Sequence, residues 1–227
     1  MAIIVGDIHG DVEKVRAFLA YKPDVEHVAL GDYLDSFHEP LERQLEALNL
    51  LMESSAVLLL GNHEVHYLDE PLFGFAGFSF ETAKAFRPFL EENISRFRAA
   101  YVADGWLCTH AGVIGRIAGD DGVDAVVERI NGAWGEYLKD RRTEFIYQSV
   151  FYYNFWVEGA LMANSIPQIF GHVELQSPVF EGGFVALDTT NFSNSCWLFD
   201  TDECCLVQLP LEPKPERLWF LRGGAWV

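Results

Sequence analysis

Ala2-Ile3-Ile4-Val5-Gly6-Asp7, His27-Val28-Ala29-Leu30-Gly31-Asp32 and Ala56-Val57-Leu58-Leu59-Leu60-Gly61-Asn62 repeat one pattern three times. Each is a short apolar run, then a glycine, then a side chain carrying an oxygen donor. Runs this short and rich in Val, Ile and Leu read as buried strands. Between them, Val12–Ala20 places Val12, Val15, Phe18 and Leu19 on one helical face, and Leu41–Met52 does the same with Leu41, Leu45, Leu48 and Leu51. The order βαβαβ predicts an α/β fold with a parallel sheet portion.

Working outward, residues 71–80 (PLFGFAGFSF) are rich in Gly and Phe and read as a loop or a cap segment, which with the following helix spans 71–100. Helices are expected over Thr82–Ala100 and Val123–Asp140. Further strands are expected at Trp106–Thr109, Gln168–Phe170 and Phe184–Leu187, with a hairpin of Cys196–Asp200 and Cys204–Leu209. The segment Glu144–Leu161 is dense in aromatic residues and reads as core, with stacking against a base or peptide ring as the alternative. The tail 210–227 is broken by Pro and Gly and is expected to wrap the surface. No fixed repeat or linker divides the chain, so residues 1–227 are expected to form a single domain.

Composition narrows the function. Half of the 227 residues are hydrophobic and 22% are charged, which suits a well-buried core and excludes global disorder. No apolar run approaches a membrane span, and the N-terminus lacks the charged and apolar regions of an export signal, so a cytoplasmic protein is expected. Sixteen basic against thirty-four acidic residues give a net charge of −18, which repels nucleic-acid backbone and anionic membrane. Cys108, Cys196, Cys204 and Cys205 match no zinc spacing and read as reduced structural cysteines.

Five apolar strands end in residues able to bind a metal: Asp7 with His9, Asp32, Asn62 with His63, His110, and His172. Ligands of open α/β sheets bind outside the carboxyl ends of strands, so five such ends point to one site. Mixed carboxylate, imidazole and amide-oxygen donors suit borderline divalent ions. Two ions about 3.5–4 Å apart can clamp a phosphoryl group and acidify a bridging water. The glycines before Asp7, Asp32, Asn62 and His172 let the chain turn sharply and leave room for a ligand.

These residues resemble a known family. Gly6-Asp7-Ile8-His9-Gly10, Gly31-Asp32-Tyr33-Leu34-Asp35, Gly61-Asn62-His63-Glu64, Thr109-His110-Ala111-Gly112 and Gly171-His172 are similar, in order, to the motifs of calcineurin-like metallophosphoesterases. They span about three quarters of the chain and look most like the phosphoprotein phosphatase branch, with its bacterial and phage serine/threonine phosphatases and diadenosine tetraphosphatases. The resemblance implies a central β-sandwich flanked by helices. It implies Asp7 and His9 on a first metal, Asp32 bridging two metals, and Asn62, His110 and His172 on the second. It further implies His63 as the general acid, Asp35 as the partner that fixes its tautomer, and a metal-bridging hydroxide as nucleophile. The cofactors implied are two divalent ions, manganese foremost, with iron, zinc, cobalt or nickel as alternatives.

Three departures bear on substrate. The branch continues Asp35 with an arginine that clamps phosphate, whereas Ser36-Phe37 follows here. A second phosphate-binding arginine is expected between His110 and His172. The aromatic stretch Tyr152–Trp156 has none, which leaves Arg141 and Arg142 as substrate-binding candidates. Finally, phosphodiesterases of the family often have Gly-His-x-His where this chain reads Gly171-His172-Val173-Glu174, which favours the phosphatase branch and leaves Glu174 as a possible carboxylate at that place. The expected reaction is hydrolysis of phosphomonoesters, on a phosphorylated protein or small molecule. The alternatives are a nucleotide hydrolase acting on dinucleoside polyphosphates or phosphodiesters, and a metal-binding pseudo-enzyme that serves as an interaction module.

Overall fold

The computed structural model describes residues 1–68, 77–114, 121–141, 147, 149–153, 166–181, 183–190 and 194–211. The first strand explains the layering. Strand β1 (Ala2–Val5) is buried on both sides, as its uninterrupted apolar run requires. Ala2 and Ile4 pack with Val28, Leu30 and Leu59 against Cys108, Ile169 and Val185 of a second sheet. Ile3 and Val5 face the opposite way, into a core shared with Val12, Val15 and Phe18 of α1 (Val12–Ala20) and Leu48 and Leu51 of α2 (Leu41–Glu53).

The first sheet also contains β2 (Glu26–Ala29), β3 (Val57–Leu59), β4 (Phe97–Arg98), β10 (Ser195–Asp200) and β11 (Cys205–Pro210), in the order β11-β10-β1-β2-β3-β4. Its β1-β2-β3-β4 portion is parallel and its β1-β10-β11 portion antiparallel. The second sheet, ordered β5-β6-β7-β9-β8, holds β5 (Ala100–Ala103), β6 (Trp106–Thr109), β7 (Gln168–Phe170), β8 (Val179–Glu181) and β9 (Phe184–Ala186). Two face-packed sheets with helices on the outside form the expected α/β sandwich.

Local differences from expectation have physical reasons. The helix expected over Thr82–Ala100 is α4 (Phe80–Asn93), capped by the Ser79 hydroxyl, and it stops well before Ala100. After one 3₁₀ turn, Phe97 and Arg98 pair with β3, and Ala100–Ala103 pairs with β6. Tertiary pairing therefore overrides the helical pattern. Helix α2 is rotated from its expected face. Gln44 and Ala47 are buried with Leu48 and Leu51, because Gln44 bonds the Ser36 amide and the Glu39 carbonyl. Helix α5 (Val123–Lys139) follows expectation, burying Val126, Ile130 and Trp134. In the aromatic segment, Phe151 and Tyr153 are core residues. No disulfide joins the four cysteines. Among the described residues, no helix is long and apolar enough to cross a membrane. Residues 71–76 of the expected cap and 212–227 of the expected tail lie outside the described residues.

Candidate metal centre

The turns that follow the strands carry the site. His9, Asp32, Asp35 and His172 all have left-handed backbones, with φ of 45°, 51°, 63° and 67°. Such conformations cost about 1–3 kcal/mol each in non-glycine residues and persist only where surrounding structure enforces them. The enforcement is visible. The Asp32 carbonyl accepts from the Ile8 and His9 amides, and the Tyr33 carbonyl accepts from Gly10. The His172 amide donates to the Asp7 carboxylate at 3.0 and 3.1 Å, and the His63 amide to Asp32 Oδ1 at 3.1 Å. Two glycines are needed for these approaches. A Cβ on Gly171 would lie 2.0 Å from Asp7 Oδ1, and one on Gly61 would lie 2.0 Å from Asp32 Oδ1.

A short helix, α3 (Asn62–Leu68), begins at the end of β3 and brings four polar side chains into the site. Asn62 Oδ1 lies 2.9 Å from both His110 Nε2 and His172 Nδ1. His63 Nδ1 bonds Asp35 Oδ2 at 2.8 Å, leaving Nε2 3.8 Å from Asp32 Oδ2. Tyr67 donates to the other Asp35 oxygen at 2.5 Å. Glu64, fully buried, accepts from the amides of Asp32, Tyr33 and Gly61 at 2.8–2.9 Å.

Tautomers follow from the partners. His9 Nδ1 donates to the Leu34 carbonyl at 2.8 Å, and His110 Nδ1 to the Leu30 carbonyl at 2.9 Å. Each Nε2 lone pair is thereby turned toward Asp32, at 3.8 and 3.4 Å. Two groups of donor atoms result, each within 4.8 Å and sharing Asp32: His9, Asp32 and His63, and Asp32, His110 and His172.

The electrostatics fit a cation. Burial pushes the Asp7 carboxyl well above the usual range, and the charges of Asp188 and Asp32 push it further. Burial opposes ionisation of Asp32 too, but His110, His63, His9 and His172 outweigh it and hold that carboxyl well below the usual range. Burial lowers His9 and His110, and burial together with His110 lowers His172 to about 4, so all three are neutral imidazoles able to ligate. His63 differs. Burial works against its charge, yet Asp32 and the bond to Asp35 prevail and raise it to about 9. A protonated imidazole is a poor ligand and a competent acid, which separates His63 from His9 although both approach Asp32.

The cleft, about 190 Å³, is lined by Asp7, His9, Asp32, Phe37, Asn62, His63, His172, Glu174 and Asp188. His110 lies behind it, fully buried. The eight residues read from the strand ends and their turns, the metal candidates with His63 and Asp35, are therefore gathered in one place. Of the substrate candidates, Arg141 is not among them. Arg141 is exposed, donates to the Leu68 carbonyl at 3.1 Å and lies over the Tyr137 ring, away from the cleft lining. Arg142 lies outside the described residues.

A family profile for calcineurin-like phosphoesterases matches residues 2–216. The chain belongs to that family. This calcineurin-like phosphoesterase is thus a metal-dependent hydrolase, and the two donor groups sharing Asp32 agree with the dinuclear requirement of the family. Its fold is similar to that of a metallophosphoesterase from Sphaerobacter thermophilus, with a TM-score of 0.54 at 14% identity over 94% of this chain and 89% of that one. It is also similar to a protein serine/threonine phosphatase from Saccharomyces cerevisiae, with a TM-score of 0.55 at 13% identity over 95% and 81% of the two chains. No curated protein sequence matches the phosphoesterase.

Sequence reasoning passed over Glu64, Tyr67 and Lys14. Lys14 is buried on α1, with its ammonium on the Asp7 carbonyl. Glu64 alone had a usable sign, an acid directly after His63 in the first turn of a helix. Ser36 stands where the branch has its phosphate-clamping arginine. Its hydroxyl accepts from the His38 and Glu39 amides at 3.1 and 3.0 Å, so it is turned into its own loop, and Phe37 forms the cleft wall.

Proposed function

We propose that the protein hydrolyses phosphate monoesters with two divalent ions held by Asp7, His9, Asp32, Asn62, His110 and His172. The observation that carries this reading is His63, whose Nε2 faces the cleft while Asp35 and Tyr67 hold its other side. Bound divalent ions would supply Lewis-acid charge to the phosphoryl oxygens and acidify the attacking water. The protein's own work is positioning and proton transfer. Asp35 keeps a proton on Nδ1, so the proton on Nε2 is the one delivered to the leaving oxygen. Tyr67 bonds the second oxygen of Asp35 and keeps that carboxylate from rotating. A cleft of about 190 Å³ is smaller than the usual pocket for a whole drug-sized ligand, which supports gripping a phosphoryl group while the rest of the substrate stays outside. A phosphorylated protein or a small phosphomonoester suits that arrangement, with manganese the foremost metal.

One observation favours a second reading. Phe37 and the exposed Glu174 line the cleft, and no Lys or Arg does so among the described residues. A dianionic monoester gains less there than a monoanionic diester or a dinucleoside polyphosphate whose base could stack on Phe37. Steady-state kinetics with manganese on p-nitrophenyl phosphate, bis-p-nitrophenyl phosphate and a dinucleoside tetraphosphate test the choice. A higher kcat/KM on the monoester is expected, and preference for either of the others would replace the first reading with the second.

A further inference from the structure

Asp188 follows β9 and is the fifth strand-end residue in the cleft lining, after Asp7, Asp32, Asn62 and His172. Gly6 and Leu187 bring it beside Asp7, since a Cβ on Gly6 would lie 3.0 Å from the Leu187 carbonyl carbon. The side chain is 1% exposed. Its Oδ1 accepts from the Thr190 amide at 3.0 Å and lies 2.7 Å from the Thr190 hydroxyl, which is itself 3.1 Å from the Asp7 carbonyl. Among the described residues none donates to Oδ2, on a residue that lines the cleft. With Oδ1 fixed by Thr190, the second oxygen of this cleft-lining carboxylate is left to a cation or donor in the cleft. Asp188 is also the strongest charged influence on Asp7 and acts on His9, His110 and His172.

We infer that Asp188 is a positioning residue for the metal next to Asp7 and His9, drawing that ion by its charge and accepting at Oδ2 a hydrogen bond from water that the ion would hold. Glu174, the other carboxylate at the cleft, is exposed and is less suited to the task. The inference rests on the dinuclear reading above.

Metal-free full-length protein titrated with Mn(II), with free Mn followed by electron paramagnetic resonance, tests it without recourse to activity. Wild type should bind two ions. Asp188→Asn keeps an acceptor for Thr190 and removes the charge, so one class of site should weaken about 10–100-fold, the usual cost of losing an outer partner of a metal ligand. The thermal midpoint of the metal-free protein should stay level or rise, because repulsion of Asp7 is relieved. A merely structural role would instead lower that midpoint. Asp188→Ser reads the same charge loss should Asn prove unstable, and Glu174→Gln should leave both sites unchanged. Wild-type affinity in a folded Asp188 variant, a lowered metal-free midpoint, or the loss appearing in Glu174→Gln would overturn the role of Asp188 alone. Wild type binding no manganese would bring down the dinuclear reading along with it.

Discussion

His63 owes its chemistry to three neighbours, Asp35, Tyr67 and Asp32, and each could be removed singly. His63→Asn should retain metal and lower turnover by roughly 10²–10⁴ on poor leaving groups, with a smaller loss on p-nitrophenyl phosphate, whose leaving group needs little protonation. Kinetics on a phenyl and a nitrophenyl ester check this; equal losses would reject the acid role, and loss of metal would make His63 a ligand. The wall of the cleft supplies a second test. Phe37→Arg would place a guanidinium at the wall of the cleft, and on the monoesterase reading a charge-assisted hydrogen bond of about 1.5–3 kcal/mol corresponds to about a 10–100-fold lower KM for the monoester. Ser36→Arg should give no such gain, because it breaks the loop bonds to His38 and Glu39. The metal candidates were legible because each follows an apolar run and a nearby glycine, or opens a conspicuous motif. Phe37 was not, since only the turn geometry decides which of two consecutive side chains faces the cleft.

At the scale of elements, α3 is a short helix with an outsized role. It presents Asn62 and His63 to the centre, Tyr67 to Asp35, and Glu64 to the loop amides beneath. Burial first, and then the Asp32 charge, raise the Glu64 carboxyl to about 8. Glu64→Gln turns an amide N–H₂ toward backbone N–H donors and should cost about 1–3 kcal/mol, the penalty for buried polar groups left without partners. A lower urea midpoint at unchanged m-value would show it. Such a helix is hard to read from sequence. Seven residues give barely two turns of periodicity, and its buried face is polar because it serves the site. Strands β4 and β8 were hidden for a related reason: two or three residues carry no pattern of their own and exist through pairing with β3 and β9. The four-residue β1, β2 and β6, and β7 with its Gly171-His172 end, were legible nearly to the residue.

At the scale of the whole molecule, the centre ties both sheets together. Asp7 and Asp32 come from the first sheet, and His110, His172 and Asp188 from the second. Metal should therefore stabilise the entire fold. Manganese at a hundred times its dissociation constant would add about 2.7 kcal/mol, which for a chain of this size raises the melting temperature by about 5–11 °C over protein held in a chelator. Differential scanning fluorimetry checks it, and an unchanged midpoint would mean that the ions do not bridge the sheets. The net charge of −18 makes a further claim. It repels a phosphate dianion at a distance, so kcat/KM should rise between about 10 and 150 mM salt as the repulsion is screened. A fall with salt would point to a local cationic path to the cleft.

The placement of β1 also bears on how the protein is made. Ala2–Val5 precedes the other described strands in the chain, yet it sits inside its sheet, and one of its two neighbours is Ser195–Asp200. From the synthesis of Val5 to that of Ser195, the edge that β10 covers has no strand to pair with. Over that interval the growing chain is exposed to edge-to-edge association with its neighbours.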